Sequence, residues 1–355
     1  MEFDNDVVNM FGLSSSQTVL MFSAQKLVTE FDLHLSMEKK DYEIKKMWLD
    51  EWEKSIVDYV NNATSENITA LYEKTEVHEK LLNELKNCHN KTWYYILVLE
   101  SLAFTPYTAL GSKQDKKYKR CKFQEKQATK MIADFFVEQG EISKDKVLRI
   151  EKCLNKSINK ISGKGQKIAI SVVSVVAVTA LAALAAVLMA PQIAVLLVGA
   201  QFQGLSGAAL TSACLAALGG GAIAYGGFGM AGGIAVIAGG GALLGVASGT
   251  TAAGVIGTIA KSPDFTLSQS AKLETILKEI ILNSQQDVAT AQQIIDQCQM
   301  TINELNKQLT ELQIKDAKNK KDIKNLKKSI SYIIKSCQDM QKFTSSYDLG
   351  LQIQE

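Results

Sequence analysis

The stretch Ile168–Ala190, IAISVVSVVAVTALAALAAVLMA, holds 23 residues without a charge, bounded by Lys164 and Lys167 in front and Pro191 behind. A helix of about 20 apolar residues spans the hydrocarbon core of a bilayer, and basic flanks with a helix-stopping proline suit its two ends. The run is therefore predicted to be a spanning helix, with Ile168, Val172, Val176, Leu181, Leu184 and Leu188 among the side chains inserted in lipid. It also opens a longer segment. From Ile168 to Ala260 there are 93 consecutive residues with no Asp, Glu, Lys, Arg or His, which is room for up to about four crossings. A net charge of +2 and a hydrophobic fraction of 46% over 355 residues conceal this division, because the charges lie only at the two ends.

The remainder of the uncharged segment is uneven. Gln192 to Tyr225 is apolar but interrupted by Gln201 and Gln203, while Gly226 to Ala260 is rich in glycine; 18 of the chain's 24 glycines fall between 168 and 260. Gly221, Gly229, Gly233, Gly241, Gly245 and Gly249 are spaced at multiples of four, so on a helix they would form one groove without side chains. Small residues at that spacing let helices pack backbone to backbone in lipid; loose low-complexity sequence is the plainer reading. Gly227-Phe228-Gly229-Met230-Ala231-Gly232 matches a dinucleotide fingerprint, but the acidic residue needed about 20 positions later to hold a ribose is missing, the next one being Asp264.

Both flanks read as helical. Before the segment, apolar periodicity is divided by stop signals into five or six helices. Ser14-Ser15-Ser16 caps the first, through about Ser36. The second runs from Met37 to about Asn62, a third starts after Ser65 and ends near Asn90, and Trp93 to Phe104 stops before Pro106. A further helix is expected from Lys117 to Gln139, closed by Gly140, and a last one from Ser143 to Ile161. Trp48, Trp52, Trp93, Tyr94 and Tyr95 read as core aromatics of this bundle. Behind the segment, alternating steps of three and four from Leu277 to Met340 meet apolar residues at sixteen of nineteen positions. Ile295, Ile302, Leu305, Leu309, Leu312, Ile323, Leu326 and Ile330 form the expected coiled-coil seam. One unbroken rod of about 95 Å is the first expectation, and an antiparallel turn at the polar break Asp316–Asn319 is the second.

Chemistry offers little to set against this. His34, His78 and His89 share no metal-binding spacing with a carboxylate, no serine, cysteine or aspartate has an activating arrangement, and six scattered cysteines read as reduced core residues. No catalytic residue, cofactor, metal or small-molecule substrate is expected, and the near-zero net charge argues against nucleic acid. Lys152, Lys156, Lys160 and Lys164 recur every four residues, followed by Lys167, just ahead of the apolar run. The plain reading is a solvated helix face; the functional one has Lys156, Lys160, Lys164 and Lys167 on anionic lipid head groups. The acidic start Met1-Glu2-Phe3-Asp4-Asn5-Asp6 has no basic region leading into an apolar core, so a secretory signal is not expected. A membrane-associated protein that is soluble before insertion fits these features.

The order of parts, with amphipathic helices to 162, a glycine-rich apolar segment at 163–262 that is uncharged from 168 to 260, and amphipathic helix over 263–355, resembles the α-helical pore-forming toxins of the cytolysin A type. The large components of the Bacillus haemolysin BL and non-haemolytic enterotoxins share that plan, although this apolar segment is longer than the single hairpin those families store. The resemblance implies an all-α elongated bundle, a soluble form that hides the segment, and a homo-oligomer, or assembly with related helical subunits, that inserts it into a lipid bilayer. A constitutive multi-pass membrane protein with a coiled-coil scaffold or sensor role is the competing expectation.

Overall fold

The computed structural model describes residues 10–63, 67–108, 110, 112–163, 236–244, 262–315 and 320–352, with positions 7, 246 and 259. Within them the chain is almost wholly helical. The N-terminal part has α1 (Ser15–His34), α2 (Lys39–Ala63), α3 (Lys74–Asn87), α4 (Thr92–Ala103), α5 (Asp115–Tyr118), α6 (Glu125–Val137) and α7 (Lys144–Ser162). The C-terminal part has α8 (Pro263–Thr275), a π-helical extension (Ile276–Leu282), α9 (Val288–Lys315) and α10 (Lys320–Gln352). A two-residue antiparallel ladder pairs β1 (Gly12–Leu13) with β2 (Val236–Ile237), in the register Gly12 to Ile237 and Leu13 to Val236.

Local signals set many boundaries. Ser14 closes a capping box on α1: its hydroxyl accepts from the Gln17 amide at 3.2 Å, and its own amide donates to the Gln17 side chain at 3.1 Å. Ser143 caps α7, Ser262 with Pro263 behind it opens α8, and Gly163 ends α7 at φ 69°. Two helices, α1 and α8, are buried on nearly every side and serve as axes for the others. Around α1 the aromatics interlock as expected, with Trp48 stacked on Trp52 at 5.7 Å and its ring nitrogen donating to the Thr108 carbonyl at 2.8 Å.

Three helices differ from the sequence reading, the first two because tertiary bonds claim backbone groups and the third because of a local turn. The helix expected after Ser65 begins at Lys74. Asn61 brackets Ile68 with two 2.8 Å bonds, Glu53 accepts from the Leu71 amide and the Ser23 hydroxyl from that of Tyr72. The Lys117–Gln139 helix is split into α5 and α6, since buried Tyr118 turns inward and Asp32 takes the Gln124 amide at 2.7 Å. The single C-terminal rod is overturned as well. Residues 283–287 form a turn with Gln286 at φ 56°, Asp287 caps α9 through the Thr290 amide, and α9 folds back on α10. Cys337 of α10 lies 3.3 Å from the Gln299 side-chain oxygen and 4.0 Å from the Ile295 carbonyl, so residues equally far from 316–319 face each other. An apolar stripe reads the same whether its partner is another molecule or the chain's own return.

Candidate functional site: the cradle of the apolar segment

The chain leaves the described body at Gly163 and re-enters it at Val236. The described residues 236–244 form no α-helix, so their amides and carbonyls need partners from elsewhere. The Ala238 amide donates to the Phe11 carbonyl at 3.0 Å and the Gly239 amide to Glu100 Oε1 at 2.8 Å. The Leu243 carbonyl accepts from the Thr301 hydroxyl at 2.7 Å and that of Leu244 from Gln297 at 3.1 Å. Ala238, Leu243, Leu244 and Val246 are buried in the core of the body. Gly240 is at φ 92°, pressed onto α8 where a β-carbon would meet the Gln269 carbonyl oxygen and come within 2.5 Å of the Leu273 amide nitrogen. Only glycine suits both demands.

Glu100 is the anchor of this contact. It is a single carboxylate in the most apolar helix, α4, and is buried there with Lys272 of α8 at 2.5 Å from its second oxygen. Glu100 thus draws one donor from α8 and one from the returning chain. Removing either partner of a buried ion pair strands the other charge in low dielectric.

Beside this cradle α7, α8 and α10 enclose a groove of about 400 Å³. Arg149, Lys152, Lys156, Lys160, Lys278 and Lys342 line it, against Glu274, Glu279 and Asp339. Lys278 bonds Glu274 at 2.7 Å and Asp339 at 2.6 Å, Lys160 also pairs with Asp339, and Arg149 reaches Glu279 at 3.0 Å. Ser157 and Ser336 donate to the two Glu274 oxygens at 2.7 and 3.3 Å. Burial raises the Glu274 carboxyl above its usual range against the pull of Lys278. Asp339 moves the other way, since hydrogen bonds from Glu274, Lys160 and Lys278 outweigh its burial. The cluster fastens α7 to α8 and α10.

The expected site residues divide accordingly. Lys156 is exposed on the groove wall, Lys160 is engaged by Asp339, and Lys164 and Lys167 lie outside the described residues. Ile168, Val172, Val176, Leu181, Leu184 and Leu188 also lie outside them, as do Gly221, Gly229, Gly233, Gly245 and Gly249. Gly241 is described, and it sits in a 3-10 turn (Gly241–Leu243) instead of an α-helical groove. Of the seam, Ile295, Ile302, Leu305, Leu326 and Ile330 are buried and Leu309, Leu312 and Ile323 half-buried, within one chain. Glu100, Lys272, Gln297 and Thr301 were not foreseen, although a lone acid within Thr92–Ala103 was a visible sign of a buried polar contact. Among the described residues no helix is long and apolar enough to cross a membrane. No protein-family model, curated protein or solved structure matches the chain.

Proposed function

We propose that this protein permeabilises membranes: its helical body holds the apolar segment 168–260 and releases it into a lipid bilayer, where copies of the chain assemble through helix packing. The observation that carries the reading is a 93-residue segment without an ionisable group whose returning end is held by side chains of the body and by a two-residue backbone ladder. Hydrogen bonds of that kind are satisfied in place yet reversible, each worth about 1 kcal/mol net. In lipid the segment meets no charge penalty and an α-helix satisfies its own backbone. A pore lined by Gln201, Gln203, Ser206, Thr211, Ser212 and Ser248 would select weakly among ions. No catalytic step or cofactor belongs to this reading.

Dye release from liposomes tests it, with the full chain beside a version lacking residues 168–230, which keeps the docked stretch, and beside Gly233→Asp. The full chain should release dye and both variants should not. Absence of release, with protein extractable only by detergent, would favour the constitutive multi-pass scaffold.

A further inference from the structure

We propose that the lysine-rich opening of α10, residues 320–328 at the tip of the described helix, is a docking surface for anionic lipid head groups, which brings both ends of segment 168–260 near the bilayer. The proposal rests on the membrane reading and adds the contact by which the protein first meets its target.

Three observations converge on the tip. The opening of α10 carries exposed Lys320, Lys321, Lys324, Lys327 and Lys328, with Asp322 the sole carboxylate from 320 to 328. A helix N-terminus already bears partial positive charge, so lysines there oppose the helix dipole. Such an arrangement is disfavoured in isolation and relieved by an anionic surface. At the facing end of α9, Ile314 is 78% exposed, an apolar side chain beside the cations, as suits the boundary between head groups and acyl chains.

The third observation is position. The Ser329 hydroxyl donates to the Ile259 carbonyl at 2.7 Å, at the far end of the apolar segment. Lys335 donates to the Ile161 carbonyl at 3.0 Å, two residues before Gly163, where the chain leaves α7. The two ends of segment 168–260 thus adjoin successive turns of α10, while its stretch 236–244 docks on β1, α4 and α9; the tip begins nine residues ahead of Ser329, roughly 14 Å along the helix axis. The ends of the segment therefore lie roughly 14 and 22 Å along α10 from the lysines, within reach of a surface that holds them. The basic stretch Lys113 to Lys126, distinct from the α7 lysines of the groove, makes no hydrogen bond to Ile161 or Ile259 among the described residues.

The test is flotation of the full chain with phosphatidylcholine vesicles, with and without phosphatidylserine, at low and high salt. Lys320→Gln, Lys321→Gln, Lys324→Gln and Lys327→Gln are combined in one variant. A charge-matched control combines Lys116→Gln, Lys117→Gln, Lys119→Gln and Lys122→Gln. Both sets are exposed, and circular dichroism and thermal melting establish that each variant folds. The parent should bind the anionic vesicles in a salt-sensitive way, the tip variant should lose about a hundredfold in affinity, and the control should change only a few-fold. Equal losses in the two variants, undiminished binding by the tip variant, or no preference of the parent for anionic vesicles would overturn the proposal. So would a tip variant that loses affinity for a single-stranded RNA oligonucleotide but not for vesicles. Dye release is scored separately at saturating anionic lipid: parent that binds through the tip without releasing dye sinks the permeabilising reading and leaves the docking surface standing.

Discussion

Two buried ion pairs in this protein look alike and hold different things. Asp32 accepts from Lys45 at 2.7 Å, from the Tyr107 hydroxyl at 2.7 Å and from the Gln124 amide at 2.7 Å, all within the N-terminal helices and their connections. Glu100 accepts from Lys272 and from the Gly239 amide, partners separated from it by 172 and 139 residues. The first site is complete whether or not the apolar segment is at home. The second includes the Gly239 amide, so it joins the returning chain as well as the two ends of the protein.

The strongest test of this difference is Lys272→Met beside Lys45→Met. Each leaves a buried carboxylate without its counter-charge and should cost about 3–5 kcal/mol in denaturant unfolding. Hydrogen exchange separates them: amides at 238–244 should exchange faster in Lys272→Met, beyond the global loss, and not in Lys45→Met. Equal exchange in the two variants would erase the distinction. Gly240→Ala attacks the same docked stretch with no change of charge. Its positive φ and the backbone of α8 against the new β-carbon predict a loss of about 1–3 kcal/mol, again with faster exchange at 238–244. Thr301→Val removes the hydroxyl that the Leu243 carbonyl needs and should cost about 1 kcal/mol by thermal melting.

The smallest effect concerns pH in the N-terminal part. Glu125, with one carboxylate oxygen buried and unpartnered, is pushed up to about 7 by burial and by the charge of Glu151. Between its ordinary value of 4.5 and that value the folded protein binds a proton that the unfolded chain has lost. Stability from this group is therefore fully present below about 4.5 and lost as pH rises through 7. Glu125→Gln should flatten the decline of melting temperature over that window, while exchange at 238–244 keeps its parental pH dependence. A decline of the same slope in the variant would assign the titration elsewhere.

Much of the fold was written locally. Ser14, Ser143, Gly140 and Gly163 act on their nearest backbone groups, so sequence placed those helix ends within a few residues. The misplaced ends are those where Asn61, Glu53, Ser23 and Asp32 reach across the fold to seize an amide or carbonyl, which no neighbouring residue reveals. The C-terminal stripe falls mostly on buried or half-buried positions of each helix, since burial depends on period, and misleads on length, since period is silent about reversal. The cradle was hidden for a further reason. Residues 236–244 are apolar and rich in glycine like the sequence before them, and their docking is encoded mainly in the partners Glu100, Lys272, Gln297 and Thr301.

Cys214 lies inside the apolar segment and provides the most direct measurement. With Cys88, Cys121, Cys153, Cys298 and Cys337 changed to alanine, an environment-sensitive fluorophore on Cys214 reports where the segment resides. On addition of phosphatidylserine vesicles its emission should shift to the blue and become quenchable by spin labels deep in the acyl chains, but not by aqueous iodide. Emission that stays unchanged, and quenchable by iodide alone while the protein is bound to the vesicles, would contradict insertion of the segment.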